Sequence, residues 1–312
     1  MPRLPPAEKL SLALRKNVRD EWDNNKADLE KQLSELLGEA WTVEVNPNAI
    51  WPYHNDGYAK ESLGSCIKAY VEGAIYQIKY LSGRYDTLAA EINEIAHAKV
   101  LTLDVDESEP SRFSYCGADV EDGKLRMLFN KDNMGVNIDY CLNEANLFAA
   151  LNGAPTEKPI SFLSRLNIRS EYDPNIAAVQ HGLAELLGKS DDEIKINPNF
   201  EDTFAKLSAY KKTKGSELRD DWETCLGSFT LKYYEGLVYQ MKYQKVGEDD
   251  MVQEGFLEAV SDLEFVFRIV EKLKNGTYGE VEFADGKLYL QAPVEKWGYN
   301  VDYIAEKIID LL

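Results

Sequence analysis

The chain has 312 residues, enough for two domains of roughly 100–200 residues each. Its hydrophobic fraction of 44% and charged fraction of 29% are typical of globular proteins with a sizeable core. The formal net charge of -19, from 54 acidic against 35 basic residues, repels nucleic-acid phosphates, and no Lys/Arg-rich run counters it. We therefore expect no direct binding to nucleic acid.

The sequence also argues against export and membrane insertion. Near the N-terminus only the five-residue run "LSLAL" is apolar, which is too short for the core of an export signal. No run approaches the roughly 18 apolar residues that a membrane helix needs. The four cysteines are scattered without a C-x-x-C pair, as expected of reduced thiols. We therefore predict a cytoplasmic protein with no membrane partner.

Three patterns occur twice in the same order. "LLGEAWTVEVNPN" matches "LLGKSDDEIKINPN", "LGSCIKAYVEGAIYQIKY" matches "LGSFTLKYYEGLVYQMKY", and "DGKLRMLFNKDNMGVNIDY" matches "DGKLYLQAPVEKWGYNVDY". The second and third patterns recur after 163 residues, starting at Leu63 and Leu226 and at Asp122 and Asp285. The first recurs after about 150, so the second copy carries additional residues after "NPN". These ordered matches predict an internal duplication.

The repeats divide the chain into four segments. We predict an N-terminal extension over residues 1–14, a first α+β copy over 15–150, a linker over 151–170 and a second α+β copy over 171–312. The linker contains "NGAPTEKPISF", which is rich in Gly, Pro and polar residues.

Each copy begins with a predicted helix, over residues 24–37 and 174–187, that ends at Gly38 or Gly188. A short alternating strand follows, "WTVEV" or "EIKI". The second pattern then forms a helix, because its apolar residues recur at helical spacing. These residues are Ile67, Tyr70, Val71, Ala74, Ile75 and Ile78, matched by Thr230, Tyr233, Tyr234, Leu237, Val238 and Met241.

The remaining elements complete the order α-β-α-α-β-β-α in each copy. A further helix is predicted over "TLAAEINEIAHAKVL" and "MVQEGFLEAVSDLEFVFRIVEKLK", followed by a hairpin with an Asp-Gly turn and a last helix. The fold class is therefore α+β, with a small, mainly antiparallel sheet covered by helices in each copy. In the shared G-x-N-x-D-Y motif, Asn137 and Asn300 are predicted N-caps of the last helix, with Asp139 and Asp302 in its first turn.

One polar stripe is predicted on the helix of the second pattern in both copies. Its side chains follow one another at helical spacing, away from the apolar positions: Glu72, Tyr76 and Lys79 in the first copy, and Glu235, Tyr239 and Lys242 in the second. These residue types can exchange protons once their pKa values are shifted, which permits an acid–base site. They can equally stabilise an exposed helix or pack one copy against the other.

The loop "NAIWPYHNDGY" is present in the first copy alone. Its aromatic and polar side chains are candidates for recognition of a partner or a sugar: Trp51, Tyr53, His54, Asp56 and Tyr58. The alternative is a rigid turn set by Pro52 and Gly57, with the aromatic rings folded onto the core. The pattern favours the turn first and a binding patch second.

No catalytic signature accompanies these residues. The three histidines are far apart in sequence, and no phosphate-binding glycine loop or nucleophile motif is present, so we predict neither a metal site nor a cofactor. We expect a non-catalytic binding protein that recognises a protein partner or a small-molecule ligand at the surface between the copies. The alternatives are an enzyme with its site in the cleft between the copies, and a carbohydrate-binding protein that uses loop 50–58.

Overall fold

The computed structural model describes residues 3–312 and separates two compact units, Met1–Glu157 and Lys158–Leu312. Each unit combines helices with one small four-stranded sheet, which places the protein in the α+β class. The division after Glu157 falls within the predicted linker, 151–170. The helical segment Phe162–Asn167 also lies in that range, and a π-helical turn, Ile168–Tyr172, begins in it.

The first unit contains six α-helices and four strands within residues 3–157. The helices are α1 (Leu12–Asn17), α2 (Asn24–Leu37), α3 (Pro47–Ile50), α4 (Leu63–Ser82), α5 (Leu88–Ile95) and α6 (Glu144–Gly153). The strands are β1 (Thr42–Glu44), β2 (Val100–Val105), β3 (Cys116–Glu121) and β4 (Lys124–Phe129). A π-helical turn, Val18–Asp23, joins α1 to α2. Because α1 begins at Leu12, regular structure already starts within the predicted extension 1–14.

The second unit has a closely similar element order. Its helices are α7 (Phe162–Asn167), α8 (Ile176–Leu187), α9 (Phe200–Lys211), α10 (Leu226–Tyr243) and α11 (Asp250–Ala259). Its strands are β5 (Lys195–Asn197), β6 (Glu264–Val270), β7 (Glu280–Ala284) and β8 (Lys287–Pro293). The additional residues after the second "NPN" form α9, a twelve-residue helix at the place in the order where the first unit has α3.

Both sheets are mixed, so the prediction of mainly antiparallel sheets is wrong. In the order β1-β2-β4-β3, β2 is parallel to both β1 and β4, and only β3 and β4 are antiparallel. The order β5-β6-β8-β7 has the same pairing directions. Parallel pairs need long crossovers, which the helices between β1 and β2, and between β5 and β6, provide.

The parallel pairs depend on two central strands that the sequence pattern did not predict. The helices predicted over residues 87–101 and 251–274 end early, at Ile95 and Ala259, and β2 and β6 follow. Lys99 and Leu263 precede these strands with positive φ angles of 54° and 50°, which helices do not accommodate. The apolar residues of each strand directly follow those of α5 or α11, so the sequence pattern does not separate the helix from the strand.

The Asp-Gly hairpins are confirmed. Asp122 and Gly123 have φ angles of 50° and 70°, and Asp285 and Gly286 have 51° and 71°, which is the left-handed pair that a tight type I′ turn requires. The glycine C-caps are also confirmed, because Gly38 and Gly188 are left-handed at the ends of α2 and α8.

The helices α4 and α10 lie at the centre of their units. Of the twelve apolar positions predicted for them, only Ile75 and Val238 are not fully buried. Each helix contacts the preceding π-helical turn closely: a Cβ on Gly64 would lie 2.7 Å from the Cα of Val18, and one on Gly227 would lie 2.6 Å from the Cα of Ile168. These close contacts and the buried apolar side chains fix the position of each helix, and with it the position of its exposed face.

The last predicted helix forms in one unit alone. In the first unit it is α6, whereas the residues after Tyr303 in the second unit form the 3₁₀ turn Ile309–Leu311. Asn137 and Asn300 do not cap a helix through their side chains. They are left-handed, with φ angles of 52° and 49°, and lead into the 3₁₀ turns Ile138–Tyr140 and Val301–Tyr303.

Candidate functional site

The predicted polar stripes lie on the solvent-exposed sides of α4 and α10. Glu72, Tyr76 and Lys79 are all exposed on α4, and the nearest ion-pair partner of Glu72 is Lys68, at 3.8 Å. On α10, Glu235, Tyr239 and Lys242 are exposed in the same way. Side chains in this setting are accessible to other molecules.

Two further exposed tyrosines accompany Tyr76 in the first unit. Tyr80 lies one helical turn further along α4, and Tyr140 ends the 3₁₀ turn that packs against this helix. We call Tyr76, Tyr80 and Tyr140 the first tyrosine face. The contact that joins its two elements is a hydrogen bond of 3.1 Å from Gln77 Nε2 to the carbonyl oxygen of Asp139.

The second unit carries the same arrangement. The second tyrosine face consists of Tyr239 and Tyr243 on α10 and Tyr303 on the adjoining 3₁₀ turn. Gln240 Nε2 donates to the carbonyl oxygen of Asp302 at 2.8 Å, which is the counterpart of the bond from Gln77. The rings of Tyr239 and Tyr243 lie nearly parallel, with their centroids 6.4 Å apart. The six tyrosines of the two faces are between 54% and 74% exposed.

A buried tyrosine beneath each face holds the segment that leads to its 3₁₀ turn. The Tyr70 hydroxyl accepts a hydrogen bond from the backbone N–H of Gly135 at 3.0 Å, and the Tyr233 hydroxyl accepts one from Gly298 at 2.8 Å. Burial raises the pKa of both phenols, so they remain neutral. The glycines have φ angles of 83°, a conformation that other residues rarely adopt.

Sequence reasoning found two of these six exposed residues, Tyr76 and Tyr239. It missed Tyr80 and Tyr243 because they lie outside the i, i+4, i+7 stripe, and Tyr140 and Tyr303 because only the tertiary contact brings them beside the helix. A signal was nevertheless present, since each missed tyrosine ends a repeated string, "QIKY" and "QMKY" or "NIDY" and "NVDY".

The loop over residues 48–58 is a compact turn. Tyr53 is buried, packs edge-on against Phe129 and accepts a hydrogen bond from the backbone N–H of Leu4 at 2.8 Å. The Trp51 ring lies 4.9 Å from the His54 ring, and Trp51 Nε1 donates to the carbonyl oxygen of Lys60. Most of the aromatic surface of the loop is therefore used within the unit.

The polar groups of the loop are also engaged locally. His54 Nδ1 accepts from the backbone N–H of Asp56 at 3.0 Å, and the Asp56 carboxylate pairs with Lys60 at 2.7 Å. The hydrogen bond from Lys60 lowers the pKa of Asp56. Tyr58 is half exposed, and burial of part of its ring raises its pKa. This arrangement favours the turn over the binding patch.

A groove lies beside the sheet of the second unit. It has a volume of about 280 Å³ and runs beside the edge strand β7, lined by Val281, Phe283, Tyr303, Ile304 and Leu311 among others. In the first unit α6 packs against the equivalent edge strand, β3. Tyr303 belongs both to this groove and to the second tyrosine face, so the face continues into a concave surface.

Within residues 3–312, no three His, Cys, Asp or Glu side chains gather as metal ligands would. None of the helices described there combines the length and hydropathy needed to cross a bilayer. The sequence matches no protein-family model, and neither the curated proteins nor the solved structures include one that matches it.

Proposed function

We propose that this protein is a non-catalytic binding protein, built from two duplicated domains, that recognises a basic protein partner through its two tyrosine faces. The observation that carries the proposal is the repetition of three exposed tyrosines on the same two structural elements in each unit.

The duplication is supported by contacts as well as by sequence. Tyr70 and Tyr233 are 163 positions apart, as are the glycines Gly135 and Gly298 that they hold. The two sheets also have equivalent strand orders and pairing directions. Both units therefore share a buried tyrosine that holds the segment before the 3₁₀ turn, and a face of three exposed tyrosines above it.

Tyrosine is well suited to such a surface. It offers a large, rigid contact area with few rotatable bonds, and it is enriched at protein interfaces, where a central aromatic residue can contribute about 2 kcal/mol or more to binding. On the surface of an isolated monomer, clustered aromatic rings are of no benefit to solubility. The neighbouring charged side chains, Glu72, Lys79, Glu235 and Lys242, are suited to form the polar rim of an interface.

The charge of the protein favours a basic partner. With a net charge of -19, the protein attracts positively charged molecules over several ångströms and accelerates their encounter. Lysine and arginine side chains also bind favourably over tyrosine rings. Arg84 shows this geometry within the first unit, 5.8 Å from the centre of the Tyr80 ring.

A displayed random-peptide library tests the proposal. We expect the wild-type protein to enrich Lys- and Arg-rich peptides, and the variant with all six face tyrosines replaced by serine to lose that enrichment. Tyr115→Ser is the matched control, because Tyr115 is 44% exposed and lies outside both faces. Equal enrichment of basic peptides by the six-tyrosine variant and the control would show that the faces are not the binding surface.

A further inference from the structure

Two cysteines of the first unit, Cys116 and Cys141, lie on neighbouring chain segments that their thiols connect by hydrogen bonds. The Cys116 thiol, at the start of β3, donates to the carbonyl oxygen of Asn137 at 3.2 Å. The Cys141 thiol, just after the 3₁₀ turn Ile138–Tyr140, donates to the carbonyl oxygen of Gly117 at 3.0 Å. The Cys141 sulfur therefore reaches the residue next to Cys116, and the Cys116 sulfur reaches the 3₁₀ turn that leads to Cys141.

The two thiols also differ in how readily they ionise. Interaction with the Cys141 side chain lowers the pKa of Cys116, whereas burial raises the pKa of Cys141. Cys66, in α4, has no such partner, and burial raises its pKa to about 12. A thiol with a lowered pKa beside one that stays protonated suits the pairing of an attacking and a resolving cysteine.

The second unit shows that this proximity belongs to the fold. The positions 163 residues further along the chain are Gly279, which immediately precedes β7, and Ile304. A Cβ placed on Gly279 would lie 3.3 Å from Cδ1 of Ile304. The same two sites thus adjoin in both units, but only the first unit places sulfur at both of them.

We propose that Cys116 and Cys141 form a dithiol modification site that low-molecular-weight disulfides oxidise to an intramolecular disulfide. The Cys116 thiolate attacks one sulfur of the small disulfide and releases a thiolate. Cys141 then loses its proton and attacks the Cys116 sulfur of the mixed disulfide, releasing the second thiolate. The two cysteines lose two electrons and two protons, and the small disulfide becomes two thiols.

Cys116 is the better placed of the two to meet the oxidant. It begins an edge strand, which can fray at its end, and it is 5% exposed against 1% for Cys141. The site does not depend on the proposed binding function. It would nevertheless tether β3 to the residue that follows Tyr140, which belongs to the first tyrosine face.

The test is oxidation of the full-length protein with oxidised glutathione, followed by alkylation and peptide mapping. We expect one internal cross-link between the peptides that contain Cys116 and Cys141. The mass of the linked pair should be lower by two hydrogen atoms than the summed masses of the two reduced peptides. Cys225, which is half-buried, serves as the internal reference for access of the reagent. Cys225→Ser and Cys66→Ala should keep the cross-link, whereas Cys116→Ser and Cys141→Ser should each remove it.

A second measurement covers the case in which the serine variants fail to fold. A monosubstituted trivalent arsenical condenses with two adjacent thiols and releases water, so it should bridge Cys116 and Cys141 in the wild-type protein. If both cysteines stay unmodified while Cys225 is fully glutathionylated, or if Cys66 takes the place of either one in the cross-link, the proposal is overturned.

Discussion

The hydroxyl of Tyr70 accepts the backbone N–H of Gly135 across 3.0 Å, and this bond connects the buried side of α4 to the segment that leads to Tyr140. Gly135 has a φ angle of 83°, so the segment turns sharply at the point where the tyrosine holds it. The position of the first tyrosine face thus depends on a residue that a partner would never contact.

Removing this hydroxyl should lower stability without exposing new surface. We expect Tyr70→Phe to reduce the free energy of unfolding by about 1 kcal/mol, because the N–H of Gly135 loses its acceptor. Tyr233→Phe should have a similar effect in the second unit. Urea denaturation measures both, with Tyr76→Phe as the exposed control. A Tyr70→Phe variant as stable as this control would contradict the role given to the bond.

Two glycines of the second unit should respond in opposite directions to alanine. A Cβ on Gly236, in α10, would lie 2.5 Å from the carbonyl oxygen of Val301, so Gly236→Ala must push the 3₁₀ turn away from the helix and destabilise the unit. A Cβ on Gly255, in α11, meets nothing within 4 Å. Gly255→Ala should therefore stabilise the helix by about 0.5–1 kcal/mol. Thermal unfolding of the two variants measures both effects. Equal shifts in Tm for Gly236→Ala and Gly255→Ala would contradict the close contact at Gly236.

The carboxylate of Asp106 should make stability depend on pH. Burial alone would raise its pKa, but hydrogen bonds from Ser108, Ser111 and Arg112 outweigh burial and lower it. Because the folded pKa is below the unfolded value of about 3.9, the stabilisation is present above that value and is lost as the pH falls through the folded pKa.

Asp106→Asn should remove this part of the acid sensitivity. We expect the difference in unfolding free energy between wild type and variant to be largest near neutral pH and to shrink as the pH falls below about 4. Asp132→Asn, which changes an exposed carboxylate of the same unit, is the control. A difference that stays constant across this range would show that Asp106 does not titrate with a lowered pKa.

The loop over residues 48–58 should tolerate loss of its polar side chains but not of its buried ring. His54→Ala and Asp56→Ala should leave the urea midpoint nearly unchanged, since their contacts are exposed and local. Tyr53→Ala should cost about 3–5 kcal/mol, because the ring fills a buried position against Phe129. Global unfolding of the Asp56 variant would instead make the loop's polar contacts structural.

The sequence was informative where one residue type determines local geometry. Asp122-Gly123 and Asp285-Gly286 specify tight turns, and Gly38 and Gly188 end helices, because few other residues adopt positive φ angles. It was uninformative for β2 and β6, because their apolar residues directly follow those of α5 and α11 and the pattern does not separate the helix from the strand. The tyrosine faces needed the tertiary contact between a helix and a distant 3₁₀ turn.

The number of binding sites per chain tests the proposed function most directly. Calorimetric titration with a basic peptide selected from the library should give two equivalent sites on the wild-type protein and on Tyr115→Ser. Serine at Tyr76, Tyr80 and Tyr140 should leave one site, as should serine at Tyr239, Tyr243 and Tyr303, and the combined variant should leave none. Added salt should weaken each site. Unchanged stoichiometry and affinity in the folded combined variant would contradict recognition through the tyrosine faces.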